Sequence, residues 1–201
     1  WVEFPIYLFR EEITRNVYAL IYLKDINAEK EREFAQAEAA SRDPLTNIYN
    51  RAAFQREMSR CISSAPGPCG TLMLLDIDNF KAINDRSGHL EGDRALKTVA
   101  DLLLSAFRKQ DIVGRMGGDE FLVFIQGDFP RPRLEERLRM LLETLQSVPG
   151  MTLSGSIGLT RVYGGNSFDY SHVLGQADTA LYHSKRSGKN RFCFFEDLPG
   201  E

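Results

Sequence analysis

Apolar residues recur along the chain at two spacings, which predict alternating helices and strands from residue 43 onward. Residues 71–77 form a continuous apolar run that ends in acids, a pattern typical of a buried strand. Apolar positions three or four residues apart predict three helices, and short apolar runs beside glycine predict a hairpin and further strands. The helical positions are Leu96, Val99, Leu103 and Phe107; Leu134, Leu138, Leu141 and Leu145; and Val173, Ala177, Leu181 and Ser184. The further strands are residues 112–115, 121–125, 153–162 and 191–195.

One more helix is expected at the start of this region. Asp43 suits a helix cap and Pro44 suits the first helical position, so the helix is predicted to begin there. We expect it to run to about Ser63 and to be broken by the Pro- and Gly-rich residues 65–68. Helices mixed with hairpin-like strand pairs predict an α+β fold, in which helices flank a central, mainly antiparallel sheet.

The first 42 residues have a different pattern. Residues 2–9 and 17–25 are rich in Val, Ile, Tyr, Phe and Leu, and polar residues lie between them, which predicts a hairpin. A lone hairpin is marginal in water, so we expect it to belong to an upstream domain. Residues 28–40 contain no Gly or Pro and predict a solvated connecting helix or a weak coiled coil.

Composition and charge narrow the class of protein. The 201 residues are 43% hydrophobic and 26% charged, as in globular proteins, and the net charge is −3. This balance argues against nonspecific nucleic-acid binding, and no apolar run reaches the roughly 18–20 residues of a membrane span. Three cysteines without metal-binding spacing, and no signal peptide at residues 1–10, predict a cytoplasmic location. A membrane anchor in upstream segments of a longer protein stays open.

Two acidic motifs carry the candidate chemistry. Asp76, Ile77 and Asp78 close the buried strand, and Gly117-Gly118-Asp119-Glu120 forms a hairpin turn. Carboxylates at a strand end are natural Mg²⁺ ligands, and paired glycines let the backbone approach a ligand closely. If the two strands are neighbours, Asp76 and Asp119 face one cleft suited to a magnesium nucleoside triphosphate. Either motif alone is more often a capped or solvated turn.

Together the motifs resemble the GGDEF family, the diguanylate cyclases of bacterial signalling. Residues 117–121 match its signature, and four further stretches resemble the family in chain order from Asp43 onward. The resemblance implies an adenylyl-cyclase-like palm fold and the condensation of two GTP into cyclic di-GMP with release of two pyrophosphates. The four stretches are residues 43–51; residues 76–81 with Asn84, His89 and Asp93; residues 156–158; and residues 177–182 with Lys185 and residues 188–190.

The resemblance also implies roles for the matching residues. Asp119 and Glu120 are the candidate catalytic acids, and one of them helps to deprotonate the attacking 3′-hydroxyl. Asn84 and Asp93 read guanine, and the carboxylate at 93 favours GTP over ATP. The family often has arginine where this sequence has Lys189. Lysine keeps the positive charge but cannot form the two parallel hydrogen bonds that arginine forms with a phosphate. The implied ligands of Mg²⁺, or of Mn²⁺ as an alternative, are Asp76, the Ile77 carbonyl, Asp119 and Glu120. The implied substrate-binding residues are Phe80, Lys81, Asn84, His89, Asp93, Gly117, Gly118, Lys185 and Lys189.

The same resemblance implies an assembly and a control site. One domain binds one GTP and the product joins two, so two copies must face each other antiparallel in a homodimer. Arg108, Asp111 and Arg115 correspond to the family's inhibitory site for the product, cyclic di-GMP. Residues 1–26 resemble the tail of a PAS-like sensor domain, with a private hairpin as the alternative. Residues 27–42 are then a helical linker and residues 43–201 the cyclase domain.

Two other functions stay open at this point. The first is a catalytically silent GGDEF domain that binds GTP or cyclic di-GMP as a sensor or scaffold. Such domains usually lack signature residues, which this sequence retains. The second is a different nucleotidyl cyclase or a polymerase palm, which shares the metal chemistry. The guanine-reading residues and the Arg108-x-x-Asp111 pattern count against that second function.

Overall fold

A computed structural model describes residues 1–10, 17–28, 30–32, 40–62, 67–165 and 168–199. The chain divides into two compact units, Trp1–Ser41 and Arg42–Glu201. The boundary lies next to Asp43, where the sequence predicts that the cyclase domain begins.

The N-terminal unit contains the predicted hairpin. Strand β2 (Ile6–Arg10) pairs antiparallel with β3 (Val17–Ile21), and the short β1 (Val2–Glu3) pairs with β4 (Lys24–Asp25). Large apolar side chains on the described part of these strands are exposed. Residues 27–28 and 30–32 are helical, and the rest of the predicted connecting helix, residues 29 and 33–39, lies outside the described residues. The assignment to a PAS-like domain stays a prediction.

A six-stranded sheet forms the centre of the second unit. Its order is β10-β9-β6-β8-β7-β5. The four inner strands pair antiparallel, whereas β10 and β5 pair parallel at the two edges. The predicted α+β fold with a mainly antiparallel sheet is therefore confirmed. The strands are β5 (Tyr49–Asn50), β6 (Gly67–Ile77), β7 (Ile112–Gly117), β8 (Glu120–Gln126), β9 (Gly155–Gly164) and β10 (Phe192–Phe194).

Helices cover both faces of this sheet. Alternate residues of β6 point to opposite sides: Leu72 and Leu74 pack in the core with α1 and α5, and Met73 and Leu75 pack in the core with α3 and α4. No helix in the described part of the chain is long and apolar enough to cross a membrane. The helices are α1 (Arg51–Ile62), α2 (Phe80–Ser87), α3 (His89–Ala106), α4 (Arg131–Gln146) and α5 (Tyr170–Arg186), and a 3₁₀ turn at Phe195–Asp197 follows β10.

The predicted start of the first helix at Asp43 is wrong. Asp43 caps a turn instead, since its Oδ1 accepts hydrogen bonds from the Thr46 amide at 2.9 Å and the Thr46 hydroxyl at 2.7 Å. Asn47 has a φ of 57°, which stops helical propagation, and β5 follows. The helix begins at Arg51, where the Asn50 side chain accepts a hydrogen bond from the Ala53 amide.

The strand that carries Asp76 begins earlier than expected. β6 starts at Gly67 and includes Pro68, which were both predicted to lie in the break after the first helix. A register shift between Pro68 and Gly70 accommodates the proline, because a bulge removes the need for its missing N–H. The acidic end of the strand is where the sequence places it.

Candidate active site

Two carboxylates face each other where β6 ends and β8 begins. Asp76 is the register partner of Glu120. Strand alternation puts both residues on the face that carries Leu74 and Leu122, which is covered by α1 and α5. The sequence predicts that Asp76 and Asp119 share a cleft. Asp119 is next in the turn, and its carbonyl accepts a hydrogen bond from the Ile77 amide at 3.2 Å.

Asp76, Asp119 and Glu120 together form an acidic corner. Lys185, in the last turn of α5, brings positive charge to this corner. Its Nζ lies 2.7 Å from Oδ2 of Asp76. Burial raises the pKa of Asp76, and the bond to Lys185 opposes that rise. Burial also raises the pKa of Glu120, and the charge of Asp76 raises it further. The corner therefore carries more negative charge than one lysine neutralises.

The donor chemistry of this corner fits a hard divalent cation. Partly buried carboxylates with raised pKa values are stabilised by nearby positive charge, and Mg²⁺ prefers oxygen ligands. Within the described ranges, no group of three or more His, Cys, Asp or Glu side chains is arranged to hold a metal ion by itself. That arrangement is compatible with Mg²⁺, which keeps several waters and shares substrate phosphate oxygens.

Hydrogen bonds from Arg115 hold the signature turn, residues 117–120, in place. Gly117 and Gly118 have φ values of 145° and 53°, which glycine adopts readily, and both residues are exposed. The Arg115 guanidinium donates to the Gly118 carbonyl from Nε at 3.1 Å and from Nη2 at 2.7 Å. Its Nη1 donates to both oxygens of Asp43, at 3.1 and 3.2 Å. Arg115 thus ties the glycine turn to the turn that precedes α1.

This ion pair also affects Asp43. Burial alone would raise the pKa of the Asp43 carboxyl, but hydrogen bonds from Thr46 and Arg115 hold it below its usual value. The Asp43 carboxylate therefore stays ionised and paired with Arg115 over the physiological pH range.

The predicted guanine-reading residues lie on two consecutive helices. Asn84 is on α2 and is half-buried, and Asp93 is on α3, one turn after the exposed His89. A Cβ atom on Gly92 would lie 2.0 Å from Oδ1 of Asn84. Because Gly92 has no side chain, the Asn84 amide can pack against α3 at this position.

The residues before Asn84 occupy different environments. Phe80, at the start of α2, is half-buried and packs against the core that includes α3 and α4. Lys81 is exposed, as a residue that meets a phosphate from solvent would be. The structure therefore supports packing for Phe80, the role that its apolar ring suggests.

Lys189, the third lysine among the predicted substrate-binding residues, follows α5. Lys189 has a φ of 63°, and its Nζ donates to Oδ1 of Asn79 at 2.7 Å. The adjoining Asn190 amide donates to the buried carboxylate of Asp78. Asp78 was not among the predicted site residues, although it stands in the same acidic motif as Asp76. Its partners come from distant parts of the chain, so the local sequence gives no signal for its role.

Two of the three predicted inhibitory-site residues lie together after α3. Asp111 is buried and accepts hydrogen bonds from the Arg108 amide at 2.9 Å and the Gln126 amide at 3.1 Å. The Arg108 guanidinium lies 4.8 Å from the Phe129 ring centroid. It lines a cavity of about 680 Å³ between α3 and α4, which Arg133 and Arg137 also line. Arg115 is placed differently, at the signature turn.

Comparison with known proteins agrees with this arrangement. The family model described as "Diguanylate cyclase, GGDEF domain" matches residues 40–191. The chain is 37% identical over 160 residues to the probable diguanylate cyclase DgcT of Escherichia coli K12, covering 76% of the chain and 35% of that protein. It is 30% identical over 206 residues to the cyclic di-GMP phosphodiesterase PdeR of the same organism, covering 94% of the chain and 30% of that protein. The chain thus spans about a third of each of these relatives.

A solved structure has the same fold. The coiled coil and GGDEF domain of DgcB from Caulobacter crescentus, in complex with c-di-GMP, aligns with a TM-score of 0.72 and 29% identity. The alignment covers 83% of this chain and 94% of that one. Because the family model matches well over half of the sequence, the chain belongs to the GGDEF domain family of diguanylate cyclases.

Proposed function

We propose that this chain is the catalytic part of a diguanylate cyclase, which joins two GTP molecules into cyclic di-GMP and releases two pyrophosphates. The observation that carries the proposal is the acidic corner. Asp76 and Glu120 are paired across β6 and β8, both have raised pKa values, and Lys185 is already bonded to Asp76. Such a site attracts a divalent cation together with a triphosphate, since each supplies charge that the other neutralises.

The binding roles follow from the chemistry of each side chain. The Asn84 amide and the Asp93 carboxylate are suited to the guanine edge, with His89 near the nucleotide. Lys81, Lys185 and Lys189 neutralise the triphosphate, and the exposed Gly117 and Gly118 let the backbone approach it. These residues hold the α-phosphate at the acidic corner.

The reaction needs a base for the attacking 3′-hydroxyl. We assign that role to Asp119 or Glu120, which lie at the turn facing Asp76. Burial and the charge of Asp76 raise the pKa of Glu120, and a raised pKa brings a carboxyl group closer to the range that suits a general base. Mg²⁺, or Mn²⁺, held by Asp76, the Ile77 carbonyl, Asp119 and Glu120, would supply charge neutralisation of the phosphates.

Catalysis in this proposal requires a homodimer. Each domain holds one GTP, and each 3′-hydroxyl must reach the α-phosphorus held by the other copy, so the two domains face each other antiparallel. We propose that residues 1–26 belong to a PAS-like sensor and residues 27–42 to a helical linker, which together set this geometry. A cytoplasmic location suits both proposals, because the substrate GTP is present there and because the cysteine pattern fits a reducing compartment.

Product inhibition is proposed at Arg108 and Asp111. The Arg108 guanidinium suits guanine O6 and N7 or a phosphate, and the cavity beside it carries two further arginines. Asp111 supports Arg108 by accepting its amide hydrogen bond. Arg115 is the third residue proposed to take part in product inhibition. It lies at the signature turn, where it joins the Gly118 carbonyl to Asp43.

A silent GGDEF domain is the second candidate. The relative PdeR carries the name of a phosphodiesterase, so similarity to this family alone does not establish cyclase activity. The retained set Asp76, Lys81, Asn84, Asp93, residues 117–120 and Lys185 favours the cyclase.

One experiment separates the two candidates. The chain, fused to a dimerising coiled coil, is incubated with GTP and Mg²⁺, and pyrophosphate and cyclic di-GMP are measured. The cyclase forms both, in a ratio of two to one, and Glu120→Gln forms neither. A dimer that binds GTP without turnover would establish the silent domain instead.

A further inference from the structure

Asp78 is a buried carboxylate whose oxygens are both used inside the protein. It is 5% exposed. Its Oδ1 accepts a hydrogen bond from the Ser156 hydroxyl at 2.7 Å. Its Oδ2 accepts from the Ser154 hydroxyl and from the Asn190 amide, each at 3.0 Å. One side chain thus joins the end of β6 to the start of β9 and to the loop after α5.

The loop that Asp78 holds has an uncommon backbone. Lys189 and Asn190 have φ values of 63° and 46°, in the left-handed region that residues with a Cβ rarely adopt. Such conformations persist where the surroundings hold them, and they concentrate at functional sites. The Lys189 amide donates to the Ser184 carbonyl, and the next amide donates to Asp78. These two bonds fix Lys189 on both sides.

The side chain of Lys189 is directed by the same structure. Its Nζ donates to Oδ1 of Asn79, the residue after Asp78, and Asn79 is itself left-handed with a φ of 56°. The Lys189 ammonium is therefore placed at the N-terminal end of α2, close to the segment that carries Lys81.

We propose that Asp78 is a positioning residue for nucleotide binding. Its carboxylate fixes the left-handed loop at Lys189 and Asn190, and the loop presents the Lys189 ammonium to the β- and γ-phosphates; this rests on the proposed GTP site.

Two substitutions at position 78 separate hydrogen bonding from charge. Asparagine retains an oxygen that accepts from the Asn190 amide and Ser154, and its NH₂ group can donate to the Ser156 hydroxyl. Alanine removes all three acceptor contacts. We expect Asp78→Asn to stay close to wild type and Asp78→Ala to release the loop. Should Asp78→Ala fail to fold, Asp78→Ser, whose side chain is too short to reach the Asn190 amide, replaces it.

The first readout needs no ligand. Hydrogen exchange is measured at the backbone amides of Lys189 and Asn190 in wild type, Asp78→Asn and Asp78→Ala. A core variant on α4, Leu138→Ala, controls for a general loss of stability. We expect faster exchange at these two amides in Asp78→Ala alone. Unchanged exchange there, or the same acceleration in Leu138→Ala, overturns the positioning role.

The second readout compares GTP with GMP, which lacks the β- and γ-phosphates. Asp78→Ala should raise the Kd for GTP about tenfold, the cost of misplacing one charged hydrogen bond, and should change the Kd for GMP by less than about twofold. In a Lys189→Met background the same substitution should add less than about twofold.

Each alternative result has a definite meaning. Equal losses for GTP and GMP, an Asp78→Asn variant as impaired as Asp78→Ala, or full additivity with Lys189→Met would each overturn the inference. A wild-type chain that binds GTP no better than GMP would refute the proposed function instead. The exchange measurement would then still decide whether Asp78 fixes the loop.

Discussion

Gly92 and Asn84 are packed so closely that a Cβ atom on Gly92 would lie 2.0 Å from the Asn84 Oδ1. Real Cβ atoms do not approach an oxygen that closely, so any larger residue at 92 must displace the amide. Alanine at a helix interior is otherwise favoured over glycine, by about 1 kcal/mol. At Gly92 the contacts with Asn84 and Phe80 oppose that gain, so ligand binding is the informative measurement at this position.

We predict that Gly92→Ala weakens GTP binding about tenfold, because it moves the amide proposed to read guanine. Gly175 provides the matched control, since it lies in α5 and a Cβ atom added there would have nothing within 4 Å. Gly175→Ala should raise the melting temperature and leave the Kd for GTP unchanged. Calorimetric titration of both variants checks this, and normal GTP affinity in Gly92→Ala would contradict it.

The raised pKa of Glu120 predicts how stability depends on pH in the absence of metal. Burial, and then the charge of Asp76, raise this pKa above the usual value of 4.5. The folded state therefore holds the Glu120 proton more tightly than the unfolded state. As pH rises through the raised pKa, Glu120 loses that proton and its contribution to stability falls.

Glu120→Gln removes this unfavourable charge. We expect the variant to have the larger free energy of unfolding at pH 7 without metal, and the difference to shrink as pH falls toward 4. Denaturant titrations at several pH values measure it. A variant less stable than wild type at neutral pH would show that Glu120 is not electrostatically strained.

Asp93 is predicted to select guanine. Its carboxylate can accept hydrogen bonds from guanine N–H groups that adenine lacks at those positions. Asp93→Ser should reduce turnover of GTP and allow incorporation of ATP into a mixed cyclic dinucleotide, measured by mass spectrometry of the products. Strict use of GTP by this variant would remove Asp93 from the guanine-reading set.

Arg108 is predicted to carry product inhibition. Arg108→Ala removes a guanidinium from the cavity between α3 and α4 and should weaken binding of cyclic di-GMP at least about tenfold. Turnover without added product should be unaffected. Arg60→Ala, which removes an exposed arginine paired with Glu57 on α1, is the control. Unchanged affinity for cyclic di-GMP in Arg108→Ala would refute this site.

The parts of the fold with strong periodicity could be predicted from the sequence. The apolar run ending at Asp76 and the helical spacing from Leu96 to Leu103 both correspond to observed elements, because burial on one face dictates where apolar residues stand. Phe107, the last position of that spacing, follows the helix in an extended conformation. The start of the first helix could not be predicted in this way. An aspartate that accepts amide hydrogen bonds stabilises a turn as well as a helix, and Asp43 does the former.

The residues of the candidate site also differ in how far the sequence predicts their roles. Asp76 and Glu120 stand in motifs whose residue types indicate metal and phosphate chemistry. The role of Asp78 depends on partners 76, 78 and 112 residues away, and the role of Arg115 on one 72 residues away. Contacts of that range are set by the sheet order, which a single sequence does not reveal.

The most direct test of the central claim is titration of GTP into the wild-type chain and into Asp76→Asn, each with Mg²⁺ and with EDTA. We predict one GTP bound per chain, with Mg²⁺ raising the affinity of wild type at least about tenfold and leaving that of Asp76→Asn nearly unchanged. GTP binding that is absent, or that does not respond to Mg²⁺ in the wild-type chain, would contradict the assignment of Asp76 and Glu120 to a metal–triphosphate site.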